Sequence, residues 1–242
     1  MVIITVHTPE TAEHFKSTPN NAYMLYRISP EGRLLRAKTE EIPPGGIMGV
    51  FLSPGTQAIS EILAEYRGNG FTGIMLDAEY ASENIAKTVT ALSESAPVYV
   101  PEKLCPDWEN CNILVETAIS SGSLRKKLET AVARYGRDRV FADIERVRAD
   151  FTLPHEKERG RPLSVEELKT LYRRRASGPH YSPDLCAWYF NCRENSGSRF
   201  VLYDDAVSIN RKLGLLSSLG IAGAFLNYSE VADIYGSIEK SY

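Results

Sequence analysis

Long apolar runs are missing from this sequence. The longest near its beginning, Val2–Val6, follows no basic segment. It is far shorter than the ~20 residues of a membrane span, and too short for the centre of an export signal. As given, the chain reads as cytoplasmic, or as a domain cut from a longer precursor. An excess of one charge is missing too. The 28 Lys and Arg against 31 Asp and Glu leave a net charge of −3. No overall field then draws nucleic acid or an anionic membrane, and neither is expected as a partner. The one basic cluster, Arg173-Arg174-Arg175, reads as a solvated helix face. Cysteine is scarce: Cys105 with Cys111 and Cys186 with Cys192 are spaced more widely than zinc ligands usually are, and His7, His14, His155 and His180 are scattered. No metal cage is expected, and reduced thiols are the default. Internal repeats, low-complexity tracts and a Gly-rich phosphate loop after the first strand are also lacking, which removes the main signature of a nucleotide-binding open sheet.

What is present is a steady alternation of short apolar strands and amphipathic helices. Strands are expected at Val2–His7, Ala22–Ile28, Ile47–Leu52, Phe71–Leu76, Val98–Val100, Ile113–Ala118 and Val140–Ile144, with a last one around Phe225. Ser29-Pro30-Glu31-Gly32 and Pro43-Pro44-Gly45-Gly46 punctuate the early strands as turns. Thr56–Arg67 carries Ile59, Ile62, Leu63 and Tyr66 at helical spacing, and further helices are expected over Ser82–Ser93, Ser123–Tyr135 and Ala206–Leu219.

Parallel neighbours need a crossover connection, so this order implies a parallel sheet. Eight strand candidates in 242 residues favour an α/β fold of the closed (β/α)8 TIM-barrel type, folded as one domain over residues 1–242. An open doubly wound sheet is the alternative. The alternation breaks between Pro154 and Asp205, where a polar stretch and a helix (Ser164–Ala176) precede two β-rich runs, Ala187–Cys192 and Arg199–Tyr203. With Arg193–Ser198 as their turn, these make a small α+β insertion, residues 154–205, between the last two barrel strands.

Chemistry in a barrel of this kind sits at the C-terminal ends of the strands. The fourth strand runs into Asp77-Ala78-Glu79-Tyr80. Alternation places Asp77 and Glu79 on one face, about 7 Å apart along the strand. Two carboxyl groups at a barrel mouth can divide the work, because repulsion and desolvation raise one pKa and make that group a general acid. The plain alternative is a surface loop with two solvated acids.

The run Gly70-Phe71-Thr72-Gly73-Ile74-Met75-Leu76-Asp77-Ala78-Glu79-Tyr80 resembles the Asp-Gly-x-Asp-x-Asp-x-Glu signature of glycoside hydrolase family 18, the chitinase-like family. Glu79 and Asp77 fall on its last two acidic positions, Thr72 and Met75 on the first two. Tyr26–Leu34, Ala149–Pro154, Leu202–Ile209 with Lys212, and Leu219–Gly223 are similar, in the same order, to segments of that family's spore-germination, cortex-lytic branch. The resemblance implies retaining hydrolysis beside N-acetylglucosamine in chitin oligomers or peptidoglycan, with the substrate's acetamido oxygen as nucleophile. Glu79 would protonate the leaving oxygen and Asp77 would hold the acetamido N–H. No cofactor is implied, the partner is an oligosaccharide or polysaccharide, and the setting is spore-associated.

The sequence also departs from that pattern. Glu116 and Ala118 stand where the family's sixth strand has Met-x-Tyr, and Asn227 stands where its last strand ends in Trp. Acids are gained in exchange: Asp143-Ile144-Glu145 repeats the Asp77/Glu79 spacing. The candidate substrate-binding residues are therefore Tyr80, Glu116, Asp143, Glu145, Trp188, Asn227 and Tyr228. The gained acids could take a divalent cation or a cationic sugar, or pair with Arg146 and Arg148 as rim charges. The main alternative to hydrolysis is a degenerate barrel that binds a glycan or a protein partner without turnover. A different barrel enzyme built on the new acids is a third reading.

Overall fold

The computed structural model describes the chain apart from residues 16–19, 39–43, 54–57, 105–109, 154–159, 195–196 and 240–242. Pro43, Thr56, Cys105, the polar stretch from Pro154 with His155, and the tip of the 193–198 turn therefore lie outside the described residues.

The parallel barrel strands are β1 (Val2–Val6), β2 (Asn21–Ile28), β4 (Ile47–Phe51), β5 (Gly73–Asp77), β6 (Val98–Pro101), β7 (Asn112–Glu116), β8 (Val140–Ile144) and β14 (Gly223–Asn227). They run β1-β14-β8-β7-β6-β5-β4-β2 and close through a β1–β2 pairing, while β3 (Leu34–Arg36) adds an antiparallel strand to β2. Around them lie α1 (Pro9–His14), α2 (Ile59–Gly68), α3 (Glu83–Ser93), α4 (Leu124–Tyr135) and α6 (Ala206–Ser218), with the short α7 (Tyr228–Val231) after the last strand. The fold is the expected (β/α)8 barrel.

Side-chain alternation divides the apolar residues into two sets. Ile3, Ala22, Ile47, Met75, Leu114, Phe141 and Phe225 fill the barrel with Met24 and Tyr99. Tyr99 meets Phe141 and Phe225 edge-on, at centroid distances of 5.1 and 5.3 Å. The alternate residues, among them Ile4, Val50, Leu76, Val100, Val115 and Leu226, pack outward with helix residues such as Ile62, Leu92, Leu128 and Leu216. Capping side chains mark the starts of α3 and α6. Ser82 accepts from the Ile85 N–H, and Asp205 with Ser208 forms a reciprocal box at α6.

One glycine is required by packing inside the barrel. A Cβ on Gly49 would lie 2.1 Å from Met24 Sδ and 2.8 Å from Met24 Cα. Gly49→Ala is expected to lower stability by about 1–3 kcal/mol, read by urea unfolding. Because a backbone atom shares the clash, Met24→Ala should rescue it only in part. An unchanged midpoint in Gly49→Ala would show that β2 and β4 separate freely.

The second sheet is β10-β9-β13-β12-β11, formed by β9 (Arg148–Leu153), β10 (Arg161–Pro162), β11 (His180–Ser182), β12 (Ala187–Glu194) and β13 (Gly197–Tyr203), with α5 (Val165–Arg173) beside it. Pairing of β12 with β13 is antiparallel throughout, as a hairpin requires. The sheet also takes in β9, which leaves the barrel three residues after β8. Asp204 ties this unit to the barrel. Its carboxylate accepts from Val147 N–H (2.9 Å), Ser208 Oγ (2.7 Å) and Lys212 Nζ (2.6 Å), and the Asp204 and Lys212 side chains are both 0% exposed.

Candidate active site at the barrel mouth

Parallel register carries the inward face of each strand to the mouth. On β4 and β5, Ile47 pairs with Gly73, Gly49 with Met75 and Phe51 with Asp77, so Asp77 continues the inward row above Met75. On β7 and β8, Leu114 pairs with Phe141 and Glu116 with Asp143, so these two acids sit on the same floor of apolar side chains. Met75, Leu114, Asp77, Glu116, Asp143 and Glu145 line a cavity of about 280 Å³, with Lys103 and Lys127 at its edge. Lys103 Nζ is 3.8 Å from Asp77, and Lys127 Nζ donates to the Glu116 carbonyl oxygen at 2.7 Å.

So many carboxyl groups cannot all ionise easily. Burial, then the charges of Glu145, Glu230, Asp77 and Glu116, push the Asp143 pKa up to about 7. Glu145 rises to about 6 through partial desolvation, the charges of Glu116 and Glu230, and a hydrogen bond with Glu116; Lys103 pulls the other way. Near neutral pH the mouth therefore holds a proton that it can donate.

Each expected residue can now be placed. Asp77, Glu116, Asp143 and Glu145 share the cavity. Glu79 and Tyr80 lie just past the end of β5 and are exposed, outside the cavity lining. Asn227 ends β14, caps α7 by accepting from the Ser229 N–H, and donates to Glu230 Oε1 at 3.4 Å. Trp188 belongs to the second sheet, where Nε1 donates to Asp205 Oδ1 (3.0 Å) and the ring meets Tyr181 edge-on. Tyr228 packs on Phe15 and Tyr235 and is not among the residues lining the cavity. Among the described residues, no group of three or more His, Cys, Asp or Glu side chains is arranged to hold a metal ion. Nor is any of their helices long and apolar enough to cross a membrane.

Sequence reasoning missed Glu230 and His7. Glu230 follows the last strand, and its Oε2 accepts from the Arg146 N–H at 2.9 Å. The Arg146 side chain, 6% exposed, donates to the Glu230 and Asp204 carbonyl oxygens and pairs with Asp233, pinning the exit of β8 to that of β14. His7, one residue past β1, lies within the fields of Glu230 and Asp77. Burial lowers its pKa, and those two charges oppose the shift. The available signal was position alone: His7 directly follows β1, and Glu230 lies in the short helix α7 that follows β14, the two strands that close the barrel.

A closed parallel barrel with an acidic C-terminal mouth is the class defined by this geometry. Solved structures narrow the fold. A spore cortex-lytic enzyme from Bacillus cereus, SleL, superposes with a TM-score of 0.66 at 13% identity, over 95% of this chain and 71% of that one. A chitinase from Chromobacterium violaceum gives 0.66 at 14% identity over 100% of both chains. The family GH18 chitinase from Cycas revoluta, solved with allosamidin, gives 0.63 at 14% identity over 96% of each chain. The fold is thus that of the chitinase-like family 18 barrels. No family model and no curated protein sequence matches this chain.

Proposed function

We propose that this barrel acts on N-acetylglucosamine-containing glycans by retaining, substrate-assisted hydrolysis, in a spore-associated setting. The observation that carries the reading is Asp77 on the inward face at the end of the fourth barrel strand, in a proton-holding cavity, with Glu79 two residues beyond it. Support comes also from the relatives in fold, one named as a spore cortex-lytic enzyme and others as chitinases, one of them crystallised with (GlcNAc)4.

On this reading the glycan lies across the mouth. Asp77 accepts the acetamido N–H, turning the acetamido oxygen toward the anomeric carbon and stabilising the positive charge that develops. Glu79, at the rim, gives its proton to the departing glycosidic oxygen. Asp143 and the Glu116–Glu145 pair supply hydrogen-bond donors or acceptors to the sugar hydroxyls, according to which oxygens are protonated. With Asn227 at the position where the family's last strand ends in Trp, and Glu116 and Ala118 where its sixth strand has Met-x-Tyr, positioning on this reading falls to these carboxyl groups.

The test is release of new reducing ends from N-acetylglucosamine oligomers and peptidoglycan fragments. Glu79→Gln is expected to lower turnover by about 10²–10⁴-fold, the contribution of general acid catalysis. Turnover unaffected by this change would remove Glu79 from the mechanism. The exposure of Glu79 outside the cavity favours a second reading, a barrel that binds glycan without cleaving it. That reading requires no new reducing ends and the same affinity in the wild type and Glu79→Gln.

A further inference from the structure

The barrel mouth holds more negative charge than its own cations balance. Five carboxyl groups, those of Asp77, Glu102, Glu116, Asp143 and Glu145, line the cavity with only two lysines. Lys127 spends its Nζ on the Glu116 carbonyl oxygen at 2.7 Å, a neutral acceptor. Lys103 reaches Asp77 at 3.8 Å from a side chain that is 64% exposed. Among the described residues, no cation bonds the carboxyl groups of Glu116, Asp143 or Glu145. Glu116 and Glu145 answer each other through a hydrogen bond, which two carboxyl groups can form only with a proton between them. Asp143 has no such relief. Its carboxyl group, set across from Glu116 on β8, makes no hydrogen bond among the described residues, and burial and the surrounding acids are what act on it.

A cleft lined by one sign of charge over low-dielectric walls concentrates its field on whatever enters. The walls here are Met75, Leu114 and Pro101. An anion is repelled, and a neutral ligand leaves the charge unanswered. A metal ion asks for several oxygens at about 2.0–2.6 Å around one point. No group of three or more such side chains is so arranged among the described residues. A primary ammonium asks for less. It is a compact charge with three rotatable donors, which meet carboxyl oxygens from separate strands at about 2.8 Å. The cavity, about 280 Å³, has the size of a small-ligand site at its lower end, enough for one sugar ring or a short aliphatic chain.

We propose that the barrel mouth binds a primary ammonium group on a small ligand, either an amino sugar with a free amine or an aliphatic polyamine. Asp143, Glu116 and Glu145 accept from the ammonium, and Met75 and Leu114 lie under the carbons that carry it. Glycan cleavage is not required for this binding. A ligand seated there takes the space of the sugar and acts as its competitor. It also favours ionised Asp143, against the opposing charges of Glu145, Glu230, Asp77 and Glu116, so that the cavity gives up a proton as the ammonium enters.

The experiment titrates the full chain by calorimetry at about pH 7 with three probes: a β-1,4-linked glucosamine dimer, its N-acetylated counterpart, and 1,5-diaminopentane. At least one amine is expected to bind about tenfold or more tightly than the N-acetylated dimer. Binding of the glucosamine dimer alone would assign an amino sugar, of the diamine alone a polyamine, and of both the ammonium itself. Asp143→Asn should weaken amine binding about tenfold or more, while Glu83→Gln, in an exposed acid of α3 paired with Lys87, should leave it unchanged. A bound diamine stays charged between about pH 5.5 and 8, so its affinity should rise with pH in the wild type and much less in Asp143→Asn. Equal or tighter binding of the N-acetylated dimer would overturn the ammonium site and leave the glycan reading standing. Amine binding that survives Asp143→Asn, or falls as far in Glu83→Gln, would reduce it to the general field of the protein and overturn the site as well. So would binding of neither amine.

Discussion

Lys212→Met is expected to destabilise the fold by about 3–5 kcal/mol, as removal of one partner from a buried ion pair typically does. Asp204 and Lys212 are both sealed from solvent, so the carboxylate left behind could not be rehydrated. Its remaining donors, Val147 N–H and Ser208 Oγ, hold it where the second sheet meets the barrel. The double change Asp204→Leu with Lys212→Met should recover part of the loss, because no isolated charge remains. Full recovery is not expected, since the Val147 N–H would lose its acceptor. Urea unfolding of wild type, single and double variants reads these differences. A loss below about 1 kcal/mol in Lys212→Met would place the pair among solvated ion pairs, whose worth is that small.

The second large effect is one of pH. In the unfolded chain Asp143 titrates near its ordinary value of 3.8, and in the fold near 7. Between these values the folded state binds more protons than the unfolded one, so stability falls as pH rises. The stabilising proton is fully present below about pH 4 and lost as pH passes through about 7. The raised Glu145 pKa works in the same direction. A tenfold change in proton affinity corresponds to about 1.4 kcal/mol, so the Asp143 penalty at pH 8 is about 2–4 kcal/mol. Asp143→Asn should therefore raise the melting temperature at pH 8 and change it little at pH 4.5. Equal effects at both pH values would mean that the Asp143 carboxyl meets water more freely than its cavity position implies.

Much of the barrel could be read from residue pattern. Val140–Ile144 became β8 without a shift at either end, and Ser82 caps α3 as the start of that helix required. These elements declare themselves locally, through a β-branched run and a capping hydroxyl. The strands that escaped notice, β3, β9, β10 and β11, depend on partners elsewhere in the chain. Leu34–Arg36 is a strand only because β2 lies beside it, and Arg148–Leu153 only because β13 returns to pair with it. The gathering of Asp77, Glu116 and Asp143 was legible because strand alternation and parallel register follow from the pattern, whereas Glu145 stands one residue past β8, where alternation does not fix its place in the cavity. Glu79 and Tyr80 were grouped with them by sequence spacing, but the regular pairing of β5 ends at Asp77, so alternation no longer fixes their direction. Trp188 and Tyr228 were singled out as aromatics near strand ends. Their neighbours, Asp205 and Tyr181 for one and Phe15 and Tyr235 for the other, are visible only in three dimensions.

The way the barrel closes also constrains how the chain reaches this shape. Val2 pairs with Ala224 and Ile4 with Leu226, so one edge of the first strand waits for the last. During synthesis nearly every other strand is made before that seam can form. Until then β1 and β8 each present a row of unpaired backbone groups to any passing chain. Contacts so distant in sequence slow the final step of folding. A ribosome-bound chain of this protein is therefore most vulnerable to aggregation just before its last strand emerges, when the interior is nearly complete and still open.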